Sequence, residues 1–154
     1  MGLRFLRPPG AVAERDFLGR CLQCGQCAQV CPFQAISLRT GFNPLTAGTP
    51  QILPRRAPCR LCLRCPPVCP TGALREVEID QAGMGRARLD RHHCYTWSGM
   101  IVCRSCFENC PLKGSAIVLA RGIYPVVTER CVGCGVCEHV CPNHSITTIP
   151  RRML

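Results

Sequence analysis

Sixteen cysteines dominate the chemistry open to this 154-residue chain, and their spacing is repetitive. Cys21, Cys24, Cys27 and Cys31 are separated by two, two and three residues in CLQCGQCAQVCP. The same run recurs at Cys59, Cys62, Cys65 and Cys69 (CRLCLRCPPVCP) and at Cys131, Cys134, Cys137 and Cys141 (CVGCGVCEHVCP). A fourth set, Cys94, Cys103, Cys106 and Cys110, keeps the later spacings but inserts eight residues, YTWSGMIV, between its first two thiols. Proline follows the last thiol of every set. Disulfide staples would be dispersed across loops rather than packed into such blocks. Zinc sites prefer two pairs split by a longer loop, so a further thiol three residues after a pair has no regular role there.

The remaining chemistry is an iron–sulfur cluster. C-x2-C-x2-C-x3-C-P is the bacterial ferredoxin run, in which three thiolates wrap one cluster and the fourth reaches across to another. Thiols at i, i+3 and i+6 on a tight loop converge on three corners of a cubane. The fourth, one helical turn further on, points elsewhere, and proline then ends that turn and sends the chain into a strand. Four complete sets predict four 4Fe-4S clusters, each fully capped by thiolate, with all sixteen cysteines as ligands.

The elements that must position these thiols are short. A β-leaning segment follows each run: PFQAISL, PTGALREVEI, PLKGSAIVL and PNHSITTI. Extended stretches (QILPRRAPC, RARLDRHHC, YPVVTERC) lead into the later ones. Each unit reads as strand, cysteine loop, one or two helical turns closed by proline, then strand. Gly41 to Pro50 is a turn-rich linker between the first two units, and Ala82 to Gly85 breaks the second from the third. Fourteen prolines and fourteen glycines leave little room for long helices. The expected fold is α+β: two pseudo-symmetric bacterial-ferredoxin-like units with short strands and helices around four clusters, forming one domain over residues 1–154 with runs at 21–31, 59–69, 94–110 and 131–141.

Composition points the same way. Without its cysteines the 47% hydrophobic fraction falls to roughly 37%, too thin for a self-sufficient core. The metal-free chain is therefore expected to lack cooperative structure. The formal charge of +10 suggests nucleic acid or an anionic surface, but the basic residues are scattered and carry no recognition pattern. Each oxidised cubane with its thiolates brings about two negative charges, so four offset about eight of the ten positives. Arg55, Arg56, Arg60 and Arg64 around the second run read as a solvated face or as balance for that charge. Val30, Ile36, Val68, Leu74, Ile117, Val140 and Ile146 are placed to shield sulfurs. His92, His93, His139 and His144 sit beside cysteines, yet every set already has four thiols, so they read as surface or supporting groups. Trp97, in the inserted loop, reads as packing.

No run of about 18 apolar residues exists to cross a bilayer, which makes the protein peripheral to a membrane at most. MGLRFLRPPG shows neither the apolar core of an export signal nor paired arginines, so the chain as written reads as cytoplasmic unless a leader has been removed. Fully capped clusters leave no open iron, and no nucleophile elbow, nucleotide-binding glycine loop or carboxylate pair accompanies them. The reading is a one-electron carrier rather than an enzyme. The alternative is an accessory protein that helps load clusters into a partner oxidoreductase.

RPPGAVAERDFLGRCLQCGQCAQVCP, GTPQILPRRAPC, CPTGAL, the Met84-Gly85 pair and VCRSCFENCPLKGSAI together resemble the NapG/MauM group, the ferredoxin-type proteins of periplasmic nitrate reduction and methylamine utilisation. The resemblance runs from about Arg7 to Ile149. It implies export of the folded protein by the twin-arginine route to the periplasmic face of the inner membrane. There it would pass electrons from a membrane quinol dehydrogenase towards a soluble reductase or dehydrogenase. The chain also resembles the cytoplasmic ferredoxin-type protein of the same nitrate systems, which is linked to maturation. The wider class resembles the iron–sulfur subunits of molybdenum oxidoreductases, which implies nested pairing of the runs. Cys21, Cys24 and Cys27 would then join Cys141, and Cys131, Cys134 and Cys137 would join Cys31. Cys59, Cys62 and Cys65 would join Cys110, and Cys94, Cys103 and Cys106 would join Cys69. Nothing in the spacing excludes consecutive pairing.

Overall fold

The computed structural model describes residues 5–151; the first four residues of the stretch read above for a leader lie outside them. Among the described residues four short α-helices form: α1 (Glu14–Arg20), α2 (Gln26–Gln29), α3 (Ser105–Glu108) and α4 (Val136–His139). α1 precedes the first run. Glu14 and Asp16 in its first turn and Arg20 in its last complement the helix dipole, and Phe17 is fully buried beneath it. α2, α3 and α4 are the helical turns expected inside the first, third and fourth runs. The second run forms only turns, because Pro66 and Pro67 remove two of the amide donors a helix needs.

Six strands pair as three antiparallel ribbons: β1 (Ile36–Leu38) with β2 (Pro50–Ile52), β3 (Gly85–Leu89) with β6 (Ile146–Pro150), and β4 (Ile117–Ala120) with β5 (Tyr124–Val127). These match the strands expected after the first, third and fourth runs and before the last three. The strand expected in PTGALREVEI does not form. Leu74 makes a single bridge to Ala11, and a 3-10 turn follows at Ile79–Gln81. Its partner segment carries Pro8 and Pro9, which cannot donate to a ladder. Gly85, expected in a break, opens β3 opposite Pro150; a Cβ there would meet the Ile149 carbonyl oxygen, which explains the glycine.

The core is divided. One cluster packs Leu6, Phe17, Ile36, Ile52 and Leu74 with thiols of the first two runs; the other packs Ala87, Ile117 and Ile146 with thiols of the last two. Val132, Cys134 and Val136 of the fourth run belong to the first cluster, so that run is the seam between the halves. Buried Arg7 fastens the N-terminal segment. Its guanidinium donates to the Glu14 carboxylate at 2.6 and 3.0 Å, to Thr49 Oγ1 at 2.9 Å and to the Pro50 carbonyl at 2.7 Å.

Candidate functional site

Strand register decides which thiols meet. Leu89 faces Ile146 across β3 and β6; Cys94 follows Leu89 by five residues and Cys141 precedes Ile146 by five, so both arrive at the same end of the ribbon. Cys94, Cys103, Cys106 and Cys141 accordingly line one small cavity. Ile36 faces Ile52 across β1 and β2, which carries Cys31 to the second run, where Cys31, Cys59, Cys62 and Cys65 line another. The Ala11 to Leu74 bridge does the same for Cys69, which completes a cavity with Cys21, Cys24 and Cys27. Ile117 faces Val127 across β4 and β5, setting Cys110 beside Cys131 and Cys134, with Cys137 against all three.

The nested grouping implied by the molybdenum-enzyme likeness is therefore not what the fold brings together. Cys141 lies in the second core cluster with Cys106, while Cys21 packs on the first; last thiols are exchanged only between runs one and two and between runs three and four. Nesting would need ribbons between the outer runs. β3 and β6 instead close the second half on itself.

Three loops share one backbone path. The residues two and four after the first thiol are left-handed: Gln23 and Gly25, Leu61 and Leu63, Gly133 and Gly135, with φ from 52 to 82°. Amides are aimed at sulfur both on this path, at Leu61, and from the segments that follow or pack against the runs. Leu61 N–H donates to Cys59 Sγ, Ala35 N–H to Cys31, Leu74 N–H to Cys69 and Ala87 N–H to Cys131, each at 3.4 Å, and Ser145 N–H donates to Cys141 at 3.3 Å. The third set solves its longer spacing otherwise. Buried Thr96 accepts the Cys103 N–H at 2.8 Å and donates its hydroxyl to the Cys103 carbonyl at 2.9 Å, closing the inserted loop.

Burial pushes the Cys27 and Cys134 thiols up to about 11, and those of Cys59, Cys65 and Cys106 to about 12, with neighbouring thiols adding to the rise. Cys137 is raised as well, for the same reasons. Cys69 goes the other way: burial raises it, but the amides of Leu74 and Thr71 and the Thr71 hydroxyl outweigh burial and lower it. Thiols held neutral in apolar cavities are poor nucleophiles and become thiolates when a metal replaces the proton. All sixteen are free thiols. Among the described residues no three His, Cys, Asp or Glu side chains approach closely enough to share a single ion, as a zinc site with thiolates at about 2.3 Å requires. Soft donors spread around a cavity, with amides aimed at their sulfurs, fit a 4Fe-4S cluster.

Other expected residues fall as follows. Ile36, Leu74, Ile117 and Ile146 are buried against the thiols, and Val30, Val68 and Val140 are partly so. The four histidines are exposed; His93 pairs with Asp90 at 2.8 Å and His139 Nδ1 lies 3.0 Å from the Arg55 carbonyl oxygen. Trp97 packs on Tyr124 and donates to the Pro125 carbonyl at 3.0 Å, tying the inserted loop to β5. Arg55, Arg56, Arg60 and Arg64 form an exposed face, from which Arg55 reaches buried Glu138. A hollow of about 560 Å³ lined by Arg7, Arg75 and Met84 contains no thiol. The roles of Thr96, Glu138 and Arg7 are not legible in the sequence, since a lone polar residue carries no spacing signal. Arg7 stands in the sequence only as the first residue of RPPG.

Residues 20–73 match the 4Fe-4S dicluster domain and residues 124–147 the 4Fe-4S binding domain. The chain is 43% identical over 152 residues to the ferredoxin-type protein NapG of Escherichia coli (strain K12), covering 88% of this chain and 65% of that protein. It is 39% identical over 163 residues to the methylamine utilization ferredoxin-type protein MauM of Methylobacillus flagellatus, covering 96% and 69%. With MauM of Paracoccus denitrificans the identity is 40%, covering 96% and 72%. The chain thus spans just under two thirds of the NapG protein it matches and somewhat more of the MauM proteins. Thiol runs, short ribbons and these matches define a ferredoxin-type iron–sulfur protein. Within that class, the chain belongs to the NapG/MauM family.

Proposed function

We propose that each thiol quartet holds one 4Fe-4S cluster: Cys21, Cys24 and Cys27 with Cys69; Cys59, Cys62 and Cys65 with Cys31; Cys94, Cys103 and Cys106 with Cys141; and Cys131, Cys134 and Cys137 with Cys110. Residues 1–154 then form one four-cluster domain of two pseudo-symmetric halves, and the protein relays single electrons without chemistry of its own. The observation that carries this reading is the exchange of last thiols between consecutive runs, which agrees with the dicluster match over runs one and two. When bound, the clusters supply one-electron oxidation and reduction at potentials between about −700 and +450 mV. The chain's residues fix four sulfurs per site, aim amides at them and exclude water with Ile36, Leu74, Ile117 and Ile146.

The likeness to NapG and MauM supports a place at the periplasmic face of the inner membrane, between a membrane quinol dehydrogenase and a soluble reductase or dehydrogenase. Exposure of Cys24 and Cys62 favours a second reading, an accessory protein that hands a labile cluster to a partner oxidoreductase. Incubating the anaerobic holoprotein with a cluster-free partner oxidoreductase separates the two. Reduction with iron retained supports the relay; iron crossing to the partner supports the accessory role.

A further inference from the structure

The pairing of thiols leaves open how the two halves communicate, and the seam between them answers this. Within each half the quartets are neighbours because each lends the other its last thiol. In the second half α3, carrying Cys106, also packs on α4, carrying Cys137. Between the halves the approach is specific. The Cys59 N–H donates to the Cys134 carbonyl at 2.9 Å, joining the entrance of the second run to the fourth.

Contacts around that bond hold the two runs together. Gly135 lies so close to Pro54 that a Cβ would come within 2.5 Å of the proline ring, and its φ of +82° also favours glycine. Three residues on, Glu138 accepts Arg55 Nε at 3.3 Å with one oxygen and the Thr148 N–H at 2.6 Å with the other, so one buried carboxylate ties the first half to α4 and β6. Each of these tie points on the first half, Pro54, Arg55 and Cys59, lies in the approach to the second run or at its first thiol. By contrast, the first run meets the second through Cys31 and Cys69, and the third meets the fourth through Cys110 and Cys141. Those contacts lie within the halves rather than between them.

We infer that the four quartets form a single file in the order first, second, fourth, third, with the crossing between halves at the Cys59 to Cys134 backbone bond. The inference rests on the proposed cluster occupancy. The first and third quartets are the ends of the file, each reaching the surface: Cys24 is exposed in one, and the exposed Met100–Val102 stretch adjoins Cys103 in the other. A file of this order makes the second-to-fourth step obligatory for any electron travelling end to end.

The test uses paramagnetic resonance on reduced, anaerobic protein, with iron counted on the same samples. In Cys24→Ala/Cys103→Ala the two end clusters are removed; about eight iron atoms remain per chain and the two centres show mutual spin–spin splitting. In Cys62→Ala/Cys137→Ala the two middle clusters are removed, and the two remaining signals are those of isolated centres. Splitting in the second variant, or two isolated signals in the first with its eight iron atoms present, overturns the order while leaving cluster occupancy intact. Iron far below that amount in the intact chain as well strikes the occupancy itself. Should either double variant fail to load, Cys27→Ala/Cys106→Ala and Cys65→Ala/Cys131→Ala remove the same end and middle clusters, and the same readings support or overturn the file.

Discussion

Thr96 grips Cys103 at both backbone groups, accepting its N–H at 2.8 Å and donating to its carbonyl at 2.9 Å. This pair of bonds returns the chain to Cys94 after an eight-residue excursion. Replacing Thr96 with Val keeps the shape but leaves the Cys103 amide without a partner, a cost of about 1–3 kcal/mol. The expected outcome is loss of the third cluster, about four iron atoms per chain, with Thr96→Ser retaining them. Iron analysis after anaerobic purification checks this; full iron in the valine variant would remove Thr96 from the site.

Arg7 and Glu14 form an ion pair whose side chains are 6% and 8% exposed, so neither charge has water to fall back on. Arg7→Met leaves the Glu14 carboxylate buried and unpaired and should destabilise the holoprotein by about 3–5 kcal/mol. Arg7→Met/Glu14→Leu should recover much of that loss. Lysine should not rescue fully, because it lacks the planar fork that reaches Glu14, Thr49 and Pro50 together. Thermal unfolding of the loaded protein ranks the variants.

Gln23 holds φ of 57° with its side chain exposed, a conformation that costs a non-glycine residue about 1–2 kcal/mol. Gln23→Gly should therefore stabilise the holoprotein or leave it unchanged, offset in part by greater freedom of the unfolded chain. A clear fall in melting temperature would mean that the Gln23 side chain contributes more than its backbone costs.

What the sequence disclosed and what it concealed follow from the range of the interactions. The runs are local patterns, as are the strands flanking them, and β1 through β6 fall where hydrophobic, β-leaning segments stood. Pairing of thiols is not local. It depends on Leu89 facing Ile146 rather than another strand, a choice made by burial of Ala87 and Ile146 over a separation that no spacing encodes. PTGALREVEI misled because its composition is strand-like while its partner is a proline pair. Thr96 was invisible because its role exists only once the inserted loop has closed.

Acid should favour loss of metal. The thiols of Cys59, Cys65 and Cys106 are raised to about 12, so in the metal-free cavity they are neutral throughout the neutral range, and each returning proton stabilises the empty site. Each such proton gains on the metal by a factor of about ten for every unit the pH falls below the raised pKa, so metal retention gains with rising pH throughout the neutral range. Iron release to a chelator should accelerate from pH 8 to pH 6, roughly tenfold per unit if one proton enters at the rate-limiting step. Release that does not change with pH would contradict protonation of the thiols as the competing event.

The central claim is that sixteen thiols hold four cubane clusters in this chain. Iron and acid-labile sulfide, measured per chain on anaerobically purified protein, test it most directly: the account predicts about sixteen of each. Protein that is fully folded with half that iron or less, or with its cysteines joined to one another, would contradict it.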